Sequence, residues 1–162
     1  MTFFLNRCYH VTKKTSEIYL QYQKRPSYIV GHLSMYDYSV FWTKASENLK
    51  ATQLCFDNGL YNACANRAYY AMYHAAIAIL IAKGFPPTQK QIDHGWVQST
   101  FARELINRRK IMPNALKAYL SDAQIFRNNA DYRDIMISQK TANRQVRKSQ
   151  EFIDKIEMEL SK

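Results

Sequence analysis

LYNACANRAYYAMYHAAIAILIAK, residues 60–83, is the stretch that decides the fold. Its second half is apolar nearly all round, and Gly84, Pro86 and Pro87, which end helices, follow it. A helix that is apolar on every side needs other helices to cover it. The stretch therefore predicts the buried central helix of a bundle.

Four more helices are predicted around this one. The first begins near Ser39, with Asp37 or Ser39 as its N-cap, and ends at Gly59. Its apolar stripe is predicted to contain Phe41, Ala45, Leu49, Gln53 and Phe56. The other three are predicted at about 93–109, 114–132 and 139–161. Asp93 is the predicted N-cap of the helix at 93–109, and Ser138 is that of the helix at 139–161. No β-rich segment of comparable strength follows residue 35, so the predicted fold is all-α, an antiparallel up-and-down bundle of four to five helices.

The chain divides by pattern into a short basic segment and one domain. Its 162 residues suffice for a single domain with a core. Residues 1–34 contain five basic residues and one acidic residue and show no helical period. We predict a basic N-terminal extension over 1–34 and a helical bundle over 35–162.

Charge and cysteine usage narrow the class of protein. The net charge of +10 favours a partner with phosphates or an acidic protein surface. The three cysteines form no CxxC pair and no metal-like spacing with the four histidines, so we expect reduced cysteines, a cytoplasmic protein, and no metal or cofactor. The apolar run 75–82 is too short to cross a bilayer, and the first ten residues do not form a signal peptide, so no membrane association is expected.

Polar residues on two of the predicted helices do not fit a plain bundle. Arg67, Tyr70 and His74 share one face of the second helix, and Arg127 and Asp131 share one face of the fourth. Asp131 could neutralise Arg67, which would leave Arg127 free to meet a phosphate. The alternatives are a solvated Arg–Asp pair within one helix, a hydrogen-bonded core histidine and tyrosines that only pack.

Three runs of sequence, in this order and spacing, resemble the HEPN superfamily. They are NRAYYAMYHAAIAILIAKG (66–84), DHGWVQSTF (93–101) with its His94 and Phe101, and RNNADY (127–132). The resemblance covers about residues 38–160 and is closest to small prokaryotic members with Arg-x-Tyr-Tyr-Ala and Arg-x-x-x-Asp-Tyr motifs. It implies a helical bundle that is usually a homodimer. Many members are metal-independent endoribonucleases, and several are toxins that act with a minimal nucleotidyltransferase.

The resemblance also implies roles for individual residues. Arg127 matches the Arg that holds the scissile phosphate, and Asn128 matches the polar residue that often follows it. Tyr132 stands where active members have the His that removes the proton of the RNA 2′-hydroxyl. His74 is the candidate replacement base, and Tyr132 is a candidate for modification by the nucleotidyltransferase.

Two functions follow as hypotheses. The first is an RNA-directed, toxin-like protein of the endoribonuclease type, with Arg127, His74, Asp131 and Tyr132 in the catalytic site and Arg67, Tyr70 and Asn128 in binding. The second is a non-catalytic module that binds nucleotide, RNA or a protein partner, in which Arg67, Asp131 and Tyr132 form an internal network that stabilises the bundle. A further alternative is a structural dimer whose basic face has no specific ligand.

Overall fold

The computed structural model describes residues 36–88 and 91–162, and these residues form five helices. The helices are α1 (Tyr38–Asp57), α2 (Tyr61–Ala82), α3 (His94–Thr100, continued by a π-helical segment, Phe101–Arg108), α4 (Ala115–Tyr132) and α5 (Gln139–Leu160). Within these ranges there is no β-strand, which confirms the all-α bundle. The predicted extension over 1–34 lies outside the described residues.

Helix α2 is the centre of the bundle, as its sequence predicts. From Ala75 to Ile81 every residue is buried, and the helix packs against α1, α3, α4 and α5. The other helices present mixed faces, so each buries one side against α2 and exposes the other. This arrangement places the side chains of α2 next to those of α4, where the predicted site residues lie.

Helices α1 and α2 end in the same way, at a glycine with a left-handed backbone. Gly59 has φ +72°, and the N–H of Leu60 donates to the carbonyl of Cys55 at 2.8 Å. Gly84 has φ +87°, and the N–H of Phe85 donates to the carbonyl of Leu80 at 2.8 Å. These are Schellman motifs, which satisfy the last helical carbonyls and turn the chain sharply. The first of them reverses the chain so that α1 packs along α2.

The buried face of α1 differs in part from the predicted stripe. Ala45 is buried as predicted, but Gln53 is exposed and donates to the Asp57 carboxylate at 2.7 Å. Thr52 is buried instead of Gln53. The Thr52 hydroxyl donates to the carbonyl of Asn48 at 2.8 Å, so it keeps a hydrogen-bonding partner without water. Asp37, one of the two proposed caps, accepts the N–H of Ser39 at 2.8 Å.

The third helix is regular only at its start. Asp93 caps it as predicted by accepting the N–H of Trp96 at 2.9 Å, but from Phe101 the backbone widens into a π-helix. The widened segment turns Glu104 inward, where Arg103 and Arg108 pair with its carboxylate at 2.7 and 3.1 Å. The hydrophobic period of the sequence predicted an α-helix over this segment. The spacing of residues along the chain does not show that an acidic residue is buried between two local cations.

Over residues 36–88 and 91–162, each helix is too short or too polar to cross a bilayer.

Candidate functional site

Arg127 of α4 lies at the junction with α2 and contacts four neighbouring side chains. Its Nε is 3.0 Å from a carboxylate oxygen of Asp131, one turn later on the same helix. Its two terminal nitrogens donate to the hydroxyl of Tyr70 at 3.2 Å and to the side-chain oxygen of Asn128 at 3.1 Å. The ring of Tyr132 lies 5.0 Å from the guanidinium carbon.

Arg127 keeps its positive charge although its side chain is largely buried. Its side chain is 18% exposed. Burial opposes the charge, but Tyr70, Tyr132 and Asp131 outweigh it and raise the pKa of Arg127 above its ordinary value. The guanidinium is therefore a fixed positive charge at the mouth of the α2–α4 junction.

Of the two pairings that the sequence left open for Asp131, the one with Arg67 is not formed. Asp131 pairs with Arg127 instead, and both of its carboxylate oxygens accept from the amide of Asn66, at 3.0 and 2.8 Å. Arg67 donates to the side-chain oxygens of Asn48 and Asn66. The reason is geometric: residues one turn apart on α4 meet directly, whereas Arg67 points toward α1 and reaches Asp131 only through Asn66.

Tyr70 is shared between the two arginines and His74. Its ring centroid is 5.4 Å from the guanidinium carbon of Arg67 and 5.7 Å from that of Arg127. The imidazole of His74 stacks on the same ring at 5.9 Å. A tyrosine whose face attracts cations holds two guanidinium groups close together without their direct contact.

His74 is held in an aromatic pocket and stays neutral. Burial, with the charges of Lys44 and Arg67, lowers its pKa to about 4, and a contact with the backbone of Tyr70 opposes this weakly. Its ring also packs against Phe41 and Tyr73 at 6.4 and 5.6 Å. Among the contacts of the described residues none joins His74 to Arg127, and Tyr70 is their common neighbour.

Tyr132 and Asn128 lie on the open side of the site. Tyr132 is 71% exposed, and its described contact with the group is the one with Arg127, through which it is connected to Asp131 and, by way of Asn66, to Arg67. It is the last residue of α4. Asn128 is exposed too, and its side-chain oxygen faces Arg127. Both side chains border the solvent-facing edge of the guanidinium.

A second histidine, His94, joins this cluster from the start of α3. Its Nδ1 is 2.6 Å from the hydroxyl of Tyr69, and its ring is 4.6 Å from that of Tyr73. Burial and the charge of Arg127 lower its pKa, with Asp93 acting in the opposite sense. The rings of Tyr69 and Tyr73 contact that of Tyr70 at 5.3 and 6.4 Å, so α3 extends the site along α2.

No three side chains among the described His, Cys, Asp and Glu lie together as a set of metal ligands. The chemistry of the cluster is that of arginine, phenol, amide and imidazole groups.

A family model described as the HEPN domain matches residues 38–159, three quarters of the chain. The chain belongs to the HEPN family. All seven residues that the sequence placed in the candidate site lie inside the matched HEPN domain.

Three relatives of this HEPN protein cover most of its length. The protein named "Putative toxin MJ0605" from Methanocaldococcus jannaschii is 29% identical over 116 residues, which are 72% of this chain and 83% of the relative. The same organism has "Putative toxin MJ0142", 27% identical over 69% of this chain and 74% of the relative. A UPF0332 protein of Thermotoga maritima is 28% identical over 72% of this chain and 86% of the relative.

In this HEPN domain, contacts connect all seven predicted residues into one group, and sequence reasoning missed further members. Direct contacts join Arg127 to Asn128, Asp131, Tyr132 and Tyr70. Arg67 contacts the Tyr70 ring and is connected to Asp131 through Asn66. The seventh, His74, joins through the ring of Tyr70. The missed residues are Asn66, Tyr69 and His94. For His94 a signal existed, because it follows the Asp93 cap inside a run that carried the family resemblance.

Proposed function

We propose that this HEPN protein is an RNA-directed protein of the toxin type, and that it binds an RNA phosphate at Arg127. The HEPN family assignment and the names of two relatives support the toxin type. The net charge of +10 supports a polyanionic ligand. The residues around Arg127 support the place.

The observation that carries the proposal is the combination of a fixed guanidinium and an exposed aromatic ring. Of the five N–H donors of the guanidinium, one donates to Tyr70 and one to Asn128, while Nε lies 3.0 Å from the Asp131 carboxylate without a hydrogen bond, so donors remain for a phosphate. Tyr132 presents a 71% exposed ring 5.0 Å from the same group. Arginine for the backbone and an aromatic face for a base are the two elements of single-stranded RNA recognition.

The sharper form of the proposal is a metal-independent endoribonuclease, which also needs a base. His74 is the candidate base that the sequence offers, and a neutral imidazole can accept a proton at pH 7. Its burial and its low pKa make it a weak base, and Tyr70 lies beside it. The site therefore supports RNA binding more strongly than RNA cleavage, and any cleavage should be slow. The alternative is the non-catalytic module.

The test is incubation of the purified protein with total cellular RNA in the presence of a chelator. Wild type, Arg127→Ala and His74→Ala are compared, and Arg144→Ala serves as a control because Arg144 is an exposed arginine on α5. The endoribonuclease form predicts cyclic-phosphate ends that are lost in both site variants and kept in the control. Absence of cleavage in wild type, with RNA binding that depends on Arg127, supports the non-catalytic module instead.

We propose two partners as well, a second copy of the chain and a minimal nucleotidyltransferase. Ile125, Ile135 and Met136 are 57%, 57% and 80% exposed on α4 and the segment after it, which suits an apolar contact between copies. Light scattering should give a dimer mass for wild type and a lower mass for Ile125→Asp.

The exposed hydroxyl-bearing side chain of Tyr132 suits modification by a nucleotidyltransferase. Incubation with a nucleotidyltransferase and ATP should therefore add the mass of a nucleotide to wild type and not to Tyr132→Phe.

A further inference from the structure

The hydrogen bond between Tyr69 and His94 connects the core of the bundle to the edge of the candidate site. Tyr69 is 1% exposed, and its hydroxyl lies 2.6 Å from Nδ1 of His94. His94 itself is only partly buried, at the first turn of α3. Neither residue is among those that the sequence assigned to the site, and the bond gives His94 a defined orientation.

The direction of this hydrogen bond follows from the surroundings of the phenol. Among the described residues, Nδ1 of His94 is the one hydrogen-bonding partner of the Tyr69 hydroxyl. A buried hydroxyl with one partner is best satisfied as the donor, since its proton would otherwise face apolar atoms. Burial also raises the pKa of Tyr69, with Tyr73 and Tyr70 adding to the rise, so the phenol keeps its proton.

A donated hydrogen bond at Nδ1 determines the tautomer of the imidazole. Because the pKa of His94 is lowered by burial and by Arg127, the ring is neutral at pH 7 and carries one proton. Nδ1 accepts, so the proton is on Nε2. Within the described chain Nε2 makes no hydrogen bond, and it lies on the side of the ring away from Tyr69. His94 therefore offers a neutral N–H donor at the edge of the site.

We propose that His94 binds the RNA phosphate beside Arg127, with Nε2–H as the donor and Tyr69 as the positioning residue that fixes the tautomer. This proposal rests on the proposed function and deepens it, since it assigns a second phosphate ligand. It also gives the histidine a role as donor and excludes it as the general base, because a base needs Nε2 without a proton. A neutral donor adds affinity for phosphate without repelling Arg127.

The first test is the tautomer of His94, measured by long-range ¹H–¹⁵N NMR correlations on the labelled full chain. We expect Nε2 protonated and Nδ1 unprotonated in wild type at pH 7. In Tyr69→Phe the bond is lost, so the two tautomers should mix and the pKa of His94 should rise. Tyr73→Phe is the matched control, because it removes another buried phenol hydroxyl, one that donates to the carbonyl of Ile92 at 2.9 Å. A proton on Nδ1 in wild type overturns the proposal.

The second test is binding of a fluorescein-labelled single-stranded oligouridylate, measured by anisotropy. His94→Asn keeps an acceptor near Tyr69 and loses the donor, whereas His94→Gln keeps an N–H donor in place of Nε2. A hydrogen bond to a charged group changes affinity by a factor of about 10 to 100. We therefore expect the Kd of His94→Asn to rise about tenfold or more and that of His94→Gln to rise less. Tyr69→Phe should weaken binding at pH 7, where His94 is neutral and its two tautomers mix without the Tyr69 hydroxyl.

Three outcomes are distinguishable in that experiment. Weaker binding in both Arg127→Ala and His94→Asn, with Gln intermediate, supports the proposal. Weaker binding in Arg127→Ala with His94→Asn equal to wild type overturns the role of His94 and leaves the proposed function intact. Unchanged binding in Arg127→Ala overturns the proposed function and the inference with it.

Discussion

Replacement of Asp131 by Asn should strengthen RNA binding and weaken the fold. Asp131 is the negative charge nearest to Arg127, 3.0 Å from its Nε, and a bound phosphate must share the guanidinium with it. At a phosphate–carboxylate separation of roughly 6 Å and an effective dielectric of about 60, the repulsion is ~1 kcal/mol. Its removal corresponds to about a fivefold lower Kd.

The same substitution removes stabilising contacts. The carboxylate accepts two hydrogen bonds from Asn66 and pairs with Arg127, but its side chain is 26% exposed, so solvent screens the pair. A loss of about 0.5–1 kcal/mol in the free energy of unfolding is expected. Affinity and stability are thus predicted to move in opposite directions, which a general structural defect would not produce.

The assay is anisotropy with labelled oligouridylate at two salt concentrations, together with thermal unfolding. Asp122→Asn is the matched control, because Asp122 is also on α4 and pairs with Lys148 at 3.0 Å away from Arg127. The gain in affinity of Asp131→Asn over this control should shrink at high salt. An affinity equal to or below that of the control would refute the electrostatic reasoning.

Three further predictions concern other parts of the chain. Gln145→Met should raise the melting temperature by a few degrees, as both polar atoms of this fully buried amide lack partners among the described residues; a lower value contradicts this. The pKa of His74, lowered to about 4, means that stability is lost as pH falls from about 6.5 toward 4; His74→Phe should lose less between pH 7 and 5 in thermal unfolding. Tyr132→Ala should raise the Kd for oligouridylate about tenfold with an unchanged melting temperature, since a base stacked on an exposed ring contributes ~1–3 kcal/mol; equal affinity would exclude stacking.

Much of the fold could be predicted because its signals are local. The caps Asp37, Asp93 and Ser138 and the terminating glycines Gly59 and Gly84 act within one turn of their own position. The apolar second half of α2 could only be central, so the bundle followed. The π-helical continuation of α3, Phe101–Arg108, was missed because a hydrophobic period does not distinguish an α-helix from a short π-helix.

The site was predictable in membership more than in pairing. Arg67, Arg127 and Asp131 were recognised as polar residues that needed partners, but the sequence left open whether Asp131 pairs with Arg67 or with Arg127, and the structure has the pair with Arg127. Which side chains meet across two helices depends on the rotation of each helix about its own axis. A rotation of α2 by the angle between two consecutive residues decides whether Arg67 or Asn66 faces Asp131. His94 was missed as a site residue because a loop of unpredicted path separates it from α2, so no spacing rule links it to Tyr69.

The most direct test of the central claim is the Kd of a single-stranded oligouridylate for wild type, Arg127→Lys, Arg127→Ala and the Arg144→Ala control. If Arg127 binds a phosphate, Arg127→Ala should weaken binding by a factor of about 10 to 100, Arg127→Lys should recover part of it, and Arg144→Ala should differ little from wild type. Equal losses in Arg127→Ala and Arg144→Ala would mean that net positive charge alone attracts RNA, and would contradict a phosphate site at Arg127.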